Sequence, residues 1–348
     1  MRIVVVGATG NVGTSLVRAL GATPEVSSIL GLARRRPDWS PPKTDWATAD
    51  ITRDELAGLF RGAEAVVHLA WLFQPTHDPV STWDTNVLGS MRVFDAVVEA
   101  DVPTLVHASS VGAYSPGPQD RMVDETWPTH GWPTAGYTRE KAYLERVLDG
   151  FEVRHPDRRV VRLRPGFIFR RESASEQRRL FAGPLLPGRL FRPGRVPFVP
   201  DLPGLRFQAA HSVDVAEAYR LAVLRDVRGA FNIAAEPVID PGVLAELLGT
   251  RTVRVPTRAV RWALAVAWQM HLVPAAPYLF DAVLRLPLMD VTRARTELGW
   301  TPRYGAVETL EEVLRGMREN AGMPTPPLDP HAGGRVRERE VGSGVGAY

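Results

Sequence analysis

The chain opens on Arg-Ile-Val-Val-Val, residues 2–6, and passes without a spacer into Gly7-Ala8-Thr9-Gly10-Asn11-Val12-Gly13. A short β-branched apolar run reads as a buried strand, and Ser15 to Leu20 then takes up helical spacing. Strand, glycine turn and helix in that order predict a dinucleotide site. Gly7 permits the tight turn, Gly10 lets the backbone approach a pyrophosphate, and Gly13 allows the helix to pack closely. The helix amino end supplies N–H donors and positive potential. Thr9, Asn11 and Val12 lie in the same turn and join the glycines as candidate cofactor contacts.

Ser28 to Leu32 reads as the second strand, and it ends where an NAD-specific site carries an acid for the adenosine ribose. Here Ala33 is followed by Arg34, Arg35 and Arg36, with no carboxylate to accept from a 2′-hydroxyl. Guanidinium groups suit a 2′-phosphate through paired, charge-assisted hydrogen bonds, so Arg34 and Arg35 favour NADP(H) over NAD(H). The competing reading of the run is a solvated loop in an arginine-rich chain.

Only two of the 42 basic residues are lysines, and one of them, Lys141, follows Tyr137 by four positions. The apolar stripe continues through Leu144, Leu148 and Phe151, which places Tyr137 and Lys141 on the inward face of one helix. An ammonium is a compact charge whose pKa moves on burial, which a guanidinium does poorly. Brought near a phenol, it lowers a pKa that starts near ~10 and fits the tyrosine for proton transfer. The same pattern is also that of an ordinary helix packed on a core.

With no cysteine, the chain excludes thiol catalysis, disulfides and thiolate metal sites. The eight histidines contain no His-x-x-x-His pair, and His68, His107 and His211 read as structural, so no metal site is expected. A net charge of +3 with scattered arginines gives no case for nucleic acid. The first strand begins at residue 2, which leaves no room for a secretory signal, and a cytoplasmic location is expected. Residues 262–280 are uncharged, but Gln269, His271, Pro274 and Pro277 interrupt them. A buried helix and a proline-broken turn are expected there in place of a membrane span, with contact to a membrane surface left open.

Taken in order, these segments resemble the extended short-chain dehydrogenase/reductases, also called the NAD-dependent epimerase/dehydratase family, over about residues 1–320. Gly7 to Gly13 resembles the family's Gly-x-x-Gly-x-x-Gly loop. Asp50-Ile51 is similar to its adenine-contacting pair, His68-Leu69-Ala70 to the segment along the cofactor, and Asn86-Val87-Leu88-Gly89-Ser90 to its Asn-Val-x-Gly-Thr helix. Ser109-Ser110 after the strand Thr104 to Ala108, with Tyr137 and Lys141, matches its catalytic set. Softer matches are Arg164-Pro165-Gly166 near the nicotinamide, His211 to Ala216, Phe231 to Ala234, and Arg295 to Pro302.

The resemblance implies a catalytic set of Ser110, Tyr137 and Lys141. It implies cofactor contacts from Asp50, Ile51, Leu69, Ala70, Asn86, Tyr137, Lys141 and Pro165. Lys141 is expected to hold the nicotinamide ribose and Ser110 to bind the reacting oxygen. Homodimerisation through two helices flanking the sheet is also an expectation of the resemblance.

The expected fold is α/β: a Rossmann-type doubly wound parallel sheet with a smaller, irregular, mostly helical C-terminal substrate domain. Residues 1–168 form the cofactor domain, 169–322 the substrate region with a late strand returning to the sheet, and 323–348 an unstructured tail. Within the proline-rich stretch 170–205, loops and short helices are expected, carrying specificity. Arg178, Arg179, Arg192, Arg195 and Arg206 are candidates for a phosphorylated substrate, against a plain solvated role.

Three functions follow. The first is an NAD(P)-dependent oxidoreductase passing hydride between NADP(H) and a carbonyl or secondary alcohol of a small molecule. The second is a nucleotide-sugar epimerase that retains its NAD(P). The third is a non-catalytic NAD(P)-sensing protein. A dehydratase fits less well, because Val111-Gly112 stands where the family would carry an acidic pair.

Overall fold

A computed structural model of the chain describes residues 1–74, 76–118, 120–183 and 194–331. Seven parallel strands form one sheet: β1 (Arg2–Val6), β2 (Ser28–Ala33), β3 (Thr44–Thr48), β4 (Ala65–His68), β5 (Thr104–Ala108), β6 (Arg159–Pro165) and β7 (Gly229–Ile233). They lie in the order β7-β6-β5-β4-β1-β2-β3. The order reverses at β1, which opens a crevice at the carboxyl ends of β1 and β4.

Strand β1 explains why the sheet needs two helical layers. Side chains alternate across a strand, so Ile3 and Val5 enter one core and Val4 and Val6 the other. The first core is covered by α1 (Asn11–Gly21), through Leu16, Val17 and Leu20, and by the later helix 212–224 through Val215, Ala218 and Tyr219. The second is covered by α2 (Gly89–Glu99), through Val93, Phe94 and Val97, and by α3 (Gly136–Arg154), through Leu144, Leu148 and Phe151. Both faces being dry, the strand reads as an unbroken apolar run.

Of the helices that follow, four matter here: α4 (Ser212–Leu224), α5 (Thr257–Gln269), α6 (Pro277–Val283) and α7 (Ala306–Glu319). A smaller core of Ala209, Ile239, Leu310 and Val313 forms under the C-terminal part. The late strand β7 returns to the sheet beside β6. Trp300, wholly buried, donates from its indole to the Asp214 carbonyl at 2.7 Å and so ties the Leu-Gly-Trp-x-Pro segment to α4. At the same amino end of α4, Ser212 donates to the Asn11 carbonyl at 3.0 Å and meets Ser15 at 3.1 Å. The late motifs therefore brace the glycine turn from behind.

Residues 262–280 divide between α5 and α6, and among the described residues no helix is long and apolar enough to cross a membrane. The expected burial of α5 is corrected: none of its residues is buried, and Trp262 is 70% exposed. The expectation of an unstructured end is corrected over residues 323–331. Leu328 is fully buried, the Met323 amide donates to the Leu328 carbonyl at 3.1 Å, and Arg179 donates to the carbonyls of Pro327 and Asp329. Burial of Leu328 and Met323 with these carbonyl contacts outweighs the turn-forming composition of the segment. Residues 332–348 lie outside the described residues.

Candidate functional site

Gly7 sits at φ +85°, and a Cβ there would fall 2.6 Å from the Ala70 amide nitrogen. A Cβ on Gly13 would fall 2.4 Å from the Gly7 carbonyl oxygen, so the first turn of α1 packs directly on the strand end. Gly10 differs, because its nearest neighbour to a Cβ is 3.6 Å away. It occupies the N-cap of α1 with extended backbone and no side-chain cap. The N–H donors of the first turn are thus left without a side-chain acceptor, which suits an anion.

This turn forms one wall of a cleft of about 320 Å3. Of the sequence-predicted contacts, Gly7, Thr9, Gly10, Arg34, Arg35, Asp50, Ile51, Leu69 and Ala70 line it. Asn11, Val12, Gly13, Asn86, Lys141 and Pro165 do not reach that lining, and Tyr137 lines a neighbouring chamber instead. Asn11 turns its amide to the Ile168 carbonyl at 3.2 Å, and Pro165 ends β6 in register with Ile233. Asp50 accepts from the Thr52 amide and hydroxyl at 3.0 and 2.8 Å. Burial pushes its carboxyl up, but those bonds with Arg53 and Arg34 nearby leave it below the usual range.

Several lining residues were not expected in this cleft: Glu176, Pro326 and Pro327 were not singled out, and Arg179 was a candidate for a substrate phosphate instead. Glu176 and Arg179 enter from the substrate region, and Pro326 and Pro327 from the C-terminal segment. Burial pushes the Glu176 carboxyl up to about 7, against the pull of Arg179 and Arg170. No local pattern marks these residues, since they arrive from distant segments. The arginines offered for a phosphorylated substrate divide differently from the expectation. Arg178 donates to the Asn320 side chain and Arg179 grips the C-terminal carbonyls, Arg195 is exposed, and Arg206 reaches the Pro118 carbonyl at 3.4 Å. Arg192 lies outside the described residues.

The cleft meets a second chamber, of about 330 Å3, along Trp71-Leu72-Phe73-Gln74 and Leu180. Tyr137 stands in its wall, half-buried, with Phe73 stacked on its ring at 5.1 Å and Trp71 edge-on at 5.7 Å. Lys141, one turn further along α3, is 4% exposed. Its Nζ donates to the Ala108 carbonyl at 2.6 Å and lies 3.4 Å from the centre of the Trp71 ring. Ser110, after β5, accepts from the Gly112 amide at 3.0 Å. The three residues are therefore brought together at the carboxyl end of the sheet.

The electrostatics correct one expectation. Burial pushes the Tyr137 phenol up to about 12, over the opposing hydrogen bond with Ser110, and the charge of Glu140 adds to the rise. Burial also holds the Lys141 ammonium down to about 7, despite Glu140 and Glu145. A lysine half-neutral near pH 7 and turned toward Trp71 offers the phenol little positive charge, so the tyrosine is not acidified in this arrangement.

Sequence reading missed Glu140, buried beside Lys141. It accepts from Thr82 and Asn86, each at 2.7 Å, while Asn86 also clamps Leu72 through two bonds at 2.7 and 2.8 Å. Asn86 therefore holds the loop between the two cavities and does not itself line the cleft. A wider helical stripe could have found Glu140, since α3 buries 138, 140, 141, 142, 144 and 145 together. Behind this layer, Glu145 binds Arg164 at 3.0 and 2.7 Å, so Arg164 of the Arg-Pro-Gly turn points into the core. His68 donates to or accepts from Ser90 at 2.8 Å, and burial with nearby Lys141 holds its ring down to about 3.

A model of the NAD dependent epimerase/dehydratase family matches residues 3–234. The Mycobacterium tuberculosis protein Rv0501 is 27% identical over 355 residues, covering 99% of this chain and 89% of that protein. Among solved structures, the Thermus thermophilus UDP-glucose 4-epimerase complexed with NAD superposes with a TM-score of 0.67 at 23% identity, covering 91% of this chain and 99% of that one. DesIV, the dTDP-glucose 4,6-dehydratase from Streptomyces venezuelae with NAD and TYD bound, gives 0.66 at 20% identity, covering 92% and 98%. At these identities the solved structures speak for the fold. With two thirds of its length matched in motif, order and strand topology, the chain belongs to the NAD dependent epimerase/dehydratase family.

Proposed function

We propose that this enzyme is an oxidoreductase passing hydride between NADP(H) and a carbonyl or secondary alcohol of a small molecule, with Tyr137, Ser110 and Lys141 as its catalytic residues. The observation that carries the reading is the meeting of two cavities at Trp71 to Gln74: one walled by the glycine turn, the other by Tyr137. Gly7 and Gly13 leave a cradle that side chains would fill, and the uncapped amino end of α1 faces it, so the residues fit a dinucleotide. Gly7, Thr9 and Gly10 would hold the pyrophosphate, and Asp50 and Ile51 the adenine. Arg34 and Arg35 would meet a 2′-phosphate, which favours NADP(H) over NAD(H). When bound, the nicotinamide supplies or takes up the hydride.

The chain's own groups handle the proton. At neutral pH a phenol pushed up to about 12 stays protonated, which suits Tyr137 as the donor to a carbonyl oxygen. Ser110 would donate to the same oxygen where negative charge develops. Lys141, near its own midpoint at pH 7, can return a proton to the phenolate once its contact with Trp71 is exchanged for a ribose. Orienting the reactants in a dry chamber contributes much of the remaining rate.

The test is an NADPH-consumption screen over ketones, aldehydes and keto-sugars, repeated with Tyr137→Phe. Turnover should fall by roughly 10²-fold or more with cofactor affinity nearly intact, the scale of a lost acid/base group. Unaltered turnover in that variant would exclude the tyrosine. A second reading, epimerisation with retained cofactor, draws on the UDP-glucose 4-epimerase likeness. It predicts that the enzyme copurifies with NAD(P) and needs none added.

A further inference from the structure

The walls of the second chamber are aromatic. Trp71, Phe73, Phe181, Trp268 and Tyr278 face it with Tyr137. The rings are packed against one another: Phe73 meets Phe181 edge-on at 6.3 Å, and Trp268 meets Tyr278 edge-on at 6.3 Å. Rings in offset or edge contact present flat apolar surface that a further ring can extend.

Most of the polar groups that reach this chamber are already engaged with the protein itself, the neutral Trp71 Nε1 and His77 Nε2 being buried without a hydrogen bond. Glu140 accepts from Thr82 and Asn86. Gln74 donates to the Leu180 carbonyl and accepts from the Thr76 amide. Thr76 donates to the Pro274 carbonyl and accepts from the Trp268 indole. His77 is stacked between Trp268 at 4.0 Å and His271 at 4.1 Å. Among the described lining residues Arg139 supplies the cationic charge, and it is exposed. A nucleoside diphosphate brings two acidic phosphates that need several charge-assisted donors, and its desolvation against rings would go uncompensated. Outside the chamber, α5 carries the apolar character onward through Trp262 and Val266, and Met270 follows it, 62% exposed.

We propose that the substrate is a carbonyl or secondary alcohol borne on a flat, apolar ring system, taken in preference to a nucleotide-linked sugar. The inference rests on the proposed hydride chemistry for the identity of the reacting group and on the chamber walls for the rest of the molecule. In the reducing direction, hydride adds to the carbonyl carbon and the Tyr137 proton to its oxygen, NADPH becoming NADP+.

Binding and turnover are measured separately on the full chain. Calorimetry with NADP+ present, where the ketone cannot be reduced, compares 2-acetylnaphthalene with UDP-glucose. The ketone should bind at least tenfold more tightly. Trp268→Ala should weaken it tenfold or more, with Trp268→Phe restoring most of the affinity because a ring is kept. Phe181→Ala gives the same reading should the first variant fail to fold, folding being followed by circular dichroism. Equal or tighter binding of UDP-glucose, or ketone affinity indifferent to both alanine variants, would overturn the inference. NADPH consumption then distinguishes the two proposals: a ketone that binds as described and is not reduced counts against the hydride chemistry and leaves the chamber's preference standing.

Discussion

Lys141 should be a destabilising residue in the cofactor-free protein, and replacing it with Met should reveal by how much. Its ammonium is 4% exposed and burial holds its pKa at about 7 in place of an ordinary 10.5. Between those values the unfolded chain binds more protons at this residue than the folded one, so stability rises with pH across that window. Below pH 7 the folded state carries the full penalty, about 5 kcal/mol for a shift of this size, falling to about 4 kcal/mol at pH 7 and about 2 kcal/mol at pH 9. Met fills a similar volume under Trp71 but loses the bond to the Ala108 carbonyl, worth about 1 kcal/mol. Lys141→Met should therefore be more stable than the parent by on the order of 3 kcal/mol at pH 7, the gap closing toward pH 10. Urea unfolding of both proteins without cofactor, at pH 6, 7.5 and 9, measures it. A variant no more stable at pH 6, or a difference that ignores pH, would refute the view that the amine is desolvated. Turnover of the same variant should collapse, as expected when a group is kept for chemistry at the expense of stability.

Other consequences are open to direct measurement. If the proposed NADP(H) preference holds, Arg34→Ala and Arg35→Ala should each weaken NADPH by roughly tenfold and leave NADH almost unchanged, since the proposed charge-assisted bond to the 2′-phosphate would be lost; equal losses for both cofactors would remove that proposal. Gly13→Ala places a Cβ 2.4 Å from the Gly7 carbonyl and should lower both thermal stability and cofactor affinity, whereas Gly10→Ala, with 3.6 Å of room, should fold normally. Thermal denaturation separates the pair, and matched melting temperatures would contradict the packing described. Glu145→Gln should destabilise the fold by roughly 3–5 kcal/mol, because Arg162 and Arg164 would keep buried charge without their shared carboxylate. Chemical denaturation at pH 7 reads that loss, and a change below about 1 kcal/mol would place the pair among weak surface-like ion pairs.

Much of the fold was legible because its signals are local. The β1 run and the glycines after it encode strand, turn and helix within thirteen residues, and the packing distances at Gly7 and Gly13 are consequences of those same glycines. The helical stripe through Leu144, Leu148 and Phe151 is likewise a property of spacing, and it carries Tyr137 and Lys141 inward as read. Where the helix began was misplaced: α1 starts at Asn11, so half of the glycine motif is already helical. A Gly N-cap gives no side-chain signal to mark the boundary.

The site's lining was less legible. Trp71 follows His68-Leu69-Ala70 by a single residue, yet nothing in that spacing says its ring will rest on an ammonium 70 positions later. Glu140 and Asn86 come together across 54 residues, and Arg179 holds a segment near 328. Such contacts depend on which loops the sheet order brings to one end.

What the residues alone determined was a parallel sheet, a glycine-walled cleft and an inward-facing tyrosine and lysine, since period and glycine placement act over a few bonds. Only the tertiary structure decided the protonation of that pair, the aromatic walls beside it and the folding of residues 323–331 onto the cleft. Desolvation is set by every atom that excludes water from a point in space, and those atoms come from segments far apart in the chain.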